Sequence, residues 1–185
     1  PEQAHRQRSF LHLLLGDHQA AAALLAAAPG LGWSRNEHPG HLSFPLFHAL
    51  LAGTDLDLLA SIDFLPARGT DFDELDAMTS RRDEPHLACP GFAEILELAG
   101  VEEPATDRAR RAVVEAMRTA AEKRVAGVTE HKRRRYYGHA AELVAACAAA
   151  DPGPETTRWV AEIRAEYRRY PALRREFDRS LSRRG

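Results

Sequence analysis

Residues 129–181 read TEHKRRRYYGHAAELVAACAAADPGPETTRWVAEIRAEYRRYPALRREFDRSL. A turn signal at 151–154, Asp-Pro-Gly-Pro, divides this stretch into two long helical patterns, and Pro171 opens a short third one. On the first pattern Tyr137, Ala140, Val144 and Cys147, with Ala141 and Ala148, mark one side. On the second, Trp159, Ile163, Tyr167 and Tyr170 recur at intervals of four, four and three; the third carries Leu173, Phe177 and Leu181. Such intervals hold side chains on one face of a helix. Each pattern is thus apolar and aromatic on one side and arginine-rich on the other. A single helical hairpin cannot bury such a face alone, so the stretch predicts helices stacked in an array.

Working back along the chain, Thr106 is placed to cap a long helix reaching about Val125, with Ala109, Val113, Met117 and Ala120 on one face and Gly127 as its break. Residues 90–100 read as a helix beginning at Pro90, with Phe92, Ile95 and Leu96 on one side. Shorter helical pieces are expected over 55–62 and 71–78, with a turn at 64–70 and a loop at 79–89. Near the start, helices are expected over 2–14 and 18–28, joined across Gly16 and capped by Asp17. Residues 29–41, rich in proline and glycine, read as irregular, with Trp33 as a loop anchor. A further helix is expected over 42–51, with Ser43 and Pro45 at its start. The alanine-rich segment after Leu15 and the one after Tyr137 echo each other, and both run into a Pro-Gly turn.

Composition supports the same class. The apolar fraction of 44% is ordinary for a globular chain, but much of it is alanine, which favours close helix packing over a core of large side chains. Two cysteines, Cys89 and Cys147, allow one disulfide and require none. No apolar run approaches the roughly 18–20 residues of a membrane span, and no charged start leads into a signal-peptide core. A cytoplasmic location without a membrane partner is expected. Pro1 in place of a starting methionine suggests one region of a larger protein.

The net charge of −2 conceals a split. Residues 54–104 hold 13 acidic residues against three arginines, a net of −10; residues 105–185 hold 19 basic and 11 acidic residues, a net of +8. The two segments could attract each other within the fold, or the basic one could face an anionic partner. We divide the chain accordingly into an acidic N-terminal helical part, 1–104, and a basic C-terminal helical part, 105–185, packed on it.

Chemistry-bearing patterns are sparse. His38 and His41, with His86 and Cys89, form two pairs at the spacing of zinc ligands, although histidine is frequent here, with nine in all. A polar turn and a small buried cysteine account for the same residues. Asp55, Asp57, Asp71, Asp73, Glu74 and Asp76 lack the central glycine of a calcium loop and read as a solvated acidic face. No glycine-rich phosphate loop or nucleophile elbow occurs. No catalytic residue, metal or cofactor is therefore assigned. The basic run from His131 to Arg135, and a second cluster of Arg168, Arg169, Arg174 and Arg175, come close together if their helices form a hairpin. Tyr136 and Tyr137 could then stack on bases, though Tyr137 falls on the core face.

Two resemblances follow from these residues. Leu15, Gly16, Asp17 and Ala21 resemble the middle of a tetratricopeptide-type repeat, where a small residue closes the turn; the 34-residue period, the preceding tryptophan and the later proline are missing. Tyr137, Ala140, Leu143, Trp159, Ile163, Tyr167 and Leu173 resemble the helical regions of bacterial proteins that also carry a SWIM-type zinc finger. That resemblance covers about the last 55 residues and implies an α-helical scaffold within a larger bacterial protein. The zinc motif is absent, so no metal or DNA function comes with it.

The expected fold is all-α: an array of antiparallel helical hairpins, tetratricopeptide-like or an irregular α-solenoid. The expected function is a non-enzymatic scaffold for a protein partner, using Arg133, Arg134, Arg168 and Arg169. A nucleic-acid-binding adaptor on the same arginines is the second reading, and a small helical enzyme without a recognisable motif the third.

Overall fold

The computed structural model describes residues 3–33, 38–52 and 100–183. The helices expected over 55–62 and 71–78, nearly all of that over 90–100, and the acidic residues from Asp55 to Asp76 lie outside them. The described elements are α1 (Gln3–Leu14), α2 (His18–Ala27), α3 (Gly40–Ala52), α4 (Asp107–Glu130), a 3-10 turn (Arg134–Tyr136), α5 (Tyr137–Ala150), α6 (Pro154–Glu166) and α7 (Pro171–Ser182). No strand occurs among the described residues. The chain is all-α, built of antiparallel helical hairpins that also pack on helices distant in sequence.

Local chemistry sets the helix starts. The Asp17 carboxylate accepts from the Ala20 N–H at 3.0 Å, and the Thr106 hydroxyl from the Ala109 N–H at 3.2 Å. Each satisfies an orphan donor of a first turn. Pro154 and Pro171 begin α6 and α7, where a missing N–H costs nothing. α3 starts at Gly40 rather than near Leu42, so Pro45 stands inside the helix. Ser43 turns back within it, its hydroxyl donating to the Pro39 carbonyl at 2.9 Å.

α4 is the axis of the fold. The two alanine-rich helices, α2 and α5, both lie against it, and α7 lies on α5. α3 touches α1, α2, α4 and α5. One apolar core runs from Leu13 through Phe47, Met117 and Val144 to Phe177. The small side chains Ala21, Ala22, Ala120, Ala121, Ala140 and Ala141 are all buried in it, as close helix approach requires.

The expected break at Gly127 does not occur. α4 continues to Glu130, with Gly127 buried inside it. The glycine admits a neighbour instead: a Cβ there would lie 3.3 Å from the Gly30 carbonyl carbon. At Gly30 a Cβ would stand 2.1 Å from the Lys123 carbonyl oxygen. The 29–33 loop thus crosses α4 backbone to backbone. Beyond it Trp33 is buried, with His38 at 4.5 Å and Phe44 at 6.0 Å between ring centroids, the anchor expected of it.

α4 ends three residues after Gly127, at Glu130, in a Schellman motif. The Lys132 N–H bonds the Thr129 carbonyl at 3.1 Å, and the Arg133 N–H bonds the Val128 carbonyl at 2.8 Å. Lys132 holds φ +54. The basic run His131–Arg135 therefore lies in a connector, its last two residues in the 3-10 turn, and not on an α-helix, contrary to the helical pattern expected from Thr129 onward.

Candidate interaction surface

The connector brings the two arginine clusters to one end of the array. α4 runs down to Glu130, α5 returns from Tyr137, α6 ends at Glu166, and α7 leaves from Pro171. The Tyr137 hydroxyl sits in the field of both Arg134 and Tyr170. Tyr167 feels Glu130, and its ring lies 6.0 Å from that of Tyr170. Gly138 on α5 faces Glu176 on α7. Arg133 and Arg134 thus share an end with Arg168 and Arg169, and all four are exposed.

Five arginines have carboxylates: Arg164 with Asp178, Arg179 with Glu176, Arg118 with Asp151 and Glu155, Arg110 with Glu103, Arg183 with Glu142. Arg108, Arg111 and Arg158, away from this end, have no ion pair among the described residues. Lys132, Arg133, Arg134, Arg135, Arg168, Arg169, Arg174 and Arg175 have no ion pair among the described residues. Helix dipoles do not offset them. Two C-termini and two N-termini meet at this end, and their half-charges cancel. Glu130 and Glu166 are the exposed carboxylates nearby.

The aromatic side chains at this end are already engaged. Tyr137 is buried. The Tyr136 ring has the Arg124 guanidinium 5.0 Å from its centroid and that of Arg135 at 4.7 Å. Tyr167 and Tyr170 face each other. Burial raises the hydroxyl pKa of Tyr137 and lifts that of Tyr167 to about 12, where Glu166 adds to the effect.

Beneath the surface lies Arg124, which is buried. Its Nε donates to His139 Nδ1 at 3.2 Å and its Nη1 to the Gly30 carbonyl at 3.3 Å. Burial pulls its pKa down to about 10; Tyr136 opposes the shift and Arg133 adds to it. A second buried arginine, Arg118, joins α4 to the α5–α6 turn. Neither was singled out by the sequence reading. The signal was there: Val113, Met117 and Ala120 lead to 124 at the next helical step, and Val114 leads to 118. Charge concealed positions that periodicity marks as inward.

The zinc-spaced group loses one ligand. His38 Nε2 donates to the Pro29 carbonyl at 2.9 Å, and Nδ1 accepts from the Gly40 N–H at 3.1 Å, so both ring nitrogens serve the loop. His86 and Cys89 lie outside the described residues. Among the described residues no three His, Cys, Asp or Glu side chains are placed to hold a metal, and no helix is long and apolar enough to cross a membrane. Cys147 is buried within α5.

No protein-family model matches the chain, and no curated protein or solved structure matches it.

Proposed function

We propose that the chain is a non-catalytic helical scaffold that binds an acidic segment of a partner protein at the end carrying Arg133, Arg134, Arg168 and Arg169. The observation that carries this reading is the gathering at one end of eight cations, Lys132 to Arg135, Arg168, Arg169, Arg174 and Arg175, that have no ion pair among the described residues. A protein otherwise near neutrality gains little stability from concentrating like charges at one end; the concentration favours encounter with an anionic surface. The resemblance to helical regions beside SWIM-type zinc fingers supports, as part of the same proposal, a role within a larger bacterial protein. The division at 104/105 is kept as a division of charge.

Nucleic acid is the second reading, favoured by the same exposed arginines. Against it stands the engagement of all four nearby tyrosines, which leaves phosphate contacts without base stacking. The test is anisotropy with labelled poly-glutamate and with single- and double-stranded DNA and RNA, at low and moderate salt. The proposal expects poly-glutamate binding that is lost when Arg133, Arg134, Arg168 and Arg169 become glutamine. Tight nucleic-acid binding that falls steeply with salt, without poly-glutamate binding, would replace it with the second reading.

A further inference from the structure

The basic end has a counterpart at the other end of α4. There the α1–α2 turn approaches the segment before α4, and the His18 Nε2 donates to the Glu102 carbonyl at 3.0 Å. Between them lies an open recess of about 540 Å³, walled by Leu14, Leu15 and Val101 and rimmed by Asp17, Glu102 and Glu103. All three carboxylates are exposed, and Leu15 is 81% exposed. Glu102 has no ion pair among the described residues; Glu103 meets Arg110 only at 3.5 Å, and Asp17 meets His12 at 3.5 Å.

These ends cannot neutralise each other within one molecule. The 24 residues of α4 separate them, about 36 Å at 1.5 Å per residue. That is several times the roughly 8 Å screening length at physiological salt. The attraction expected between the acidic and basic segments is therefore not satisfied by Glu102 and Glu103 inside the fold. Between two copies the same charges come into contact. Arginine suits this recess, because its stem covers apolar surface such as Leu15 while its head meets a carboxylate.

We propose that the anionic partner of the basic end is a second copy of this chain, its recess at Asp17, Glu102 and Glu103 receiving the arginine end of its neighbour. The inference rests on the reading of that end as a docking surface and names its occupant. The contact is heterologous, one end against the opposite end, so each added copy leaves a fresh end exposed and assembly is open.

Sedimentation velocity of the full chain tests it. At about 50 mM salt the mean mass should rise with concentration up to about 100 µM, and at about 500 mM salt the chain should return to monomer. Two variants then separate the ends: Glu102→Arg with Glu103→Arg, and Arg133, Arg134, Arg168 and Arg169 each changed to Glu. Each alone should stay monomeric, and an equimolar mixture should form heterodimers. Circular dichroism melts confirm that these exposed changes leave the fold intact, and the salt series on the unaltered chain needs no variant. A chain that stays monomeric at low salt overturns the inference, as does undiminished association of the Glu102→Arg, Glu103→Arg variant. If the unaltered chain is monomeric yet its arginine end still binds poly-glutamate, the docking surface stands and only this occupant is wrong.

Discussion

The Arg118 Nη2 stands 2.9 Å from Asp151 Oδ2, which ties the middle of α4 to the end of α5. The same nitrogen donates to the Thr156 hydroxyl at 2.5 Å, and that hydroxyl donates to Asp151 at 3.0 Å. Nη1 reaches Glu155 at 2.9 Å, and the Trp159 ring lies 5.6 Å from the guanidinium carbon. Removing a fully buried partner costs about 3–5 kcal/mol, but the Asp151 side chain is 40% exposed and Glu155 80%. Arg118→Ala should therefore cost about 2 kcal/mol, and Glu155→Ala at most about 0.5 kcal/mol. Urea denaturation checks both. Equal losses would mean that the Asp151–Thr156 side of the cluster contributes nothing.

Gly30 and Gly127 should respond differently to the same change. An alanine at Gly30 places its methyl 2.1 Å from a backbone oxygen of α4, and only a shift of the loop can relieve it. Gly30→Ala should cost more than about 2 kcal/mol. At Gly127 the contacts are 3.2 Å to the Leu31 side chain and 3.3 Å to the Gly30 backbone. There alanine regains about 1 kcal/mol of helix propensity, so Gly127→Ala should fall within about 1 kcal/mol of neutral. Thermal melts rank the two. A more damaging Gly127→Ala would reverse the account of the crossing.

The same pair shows how far the fold was legible. Asp17, Thr106, Pro154 and Pro171 announce their helix starts because capping and first-turn chemistry are local. Gly127 reads locally as a stop, and only the partner that crosses it, 97 residues away in sequence at Gly30, explains why a helix retains it. The real stop at Lys132 carries no signal, since a run of lysine and arginine favours helix. The convergence of the two arginine clusters could be stated only conditionally, because it depends on how α6 and α7 return. Arg118 and Arg124 stand on the inward stripe, but their charge reads as solvent.

Lys132 offers a direct gain. It occupies the left-handed position of the Schellman motif at φ +54, where a side chain costs about 1 kcal/mol relative to glycine. Lys132→Gly should stabilise the chain by about 0.5–1 kcal/mol. The urea midpoint should rise with an unchanged slope. Loss of stability would show that the Lys132 side chain makes a contact that outweighs its backbone strain.

Alkaline pH should expose the tyrosines and Arg124 acting in opposite directions. An unfolded tyrosine loses its proton near pH 10, whereas folded Tyr167 holds it to about 12. Between those values the folded state binds more protons, so stability contributed by Tyr167 is intact below pH 10 and is lost as pH rises toward 12. Tyr137 acts in the same direction. For Arg124 the order is inverted: burial lets the folded group release its proton near 10, well below where the unfolded one releases it. The unfolded state then binds more protons in that window, and Arg124 contributes a rise in stability with pH. Tyr167→Phe should flatten the alkaline loss, and Arg124→Met should steepen it. Urea midpoints at about pH 9 and about pH 11 measure both slopes, with tyrosinate absorbance reporting the ionisation itself. A Tyr167→Phe chain that loses stability between those pH values as steeply as the unaltered one would remove Tyr167 as the source.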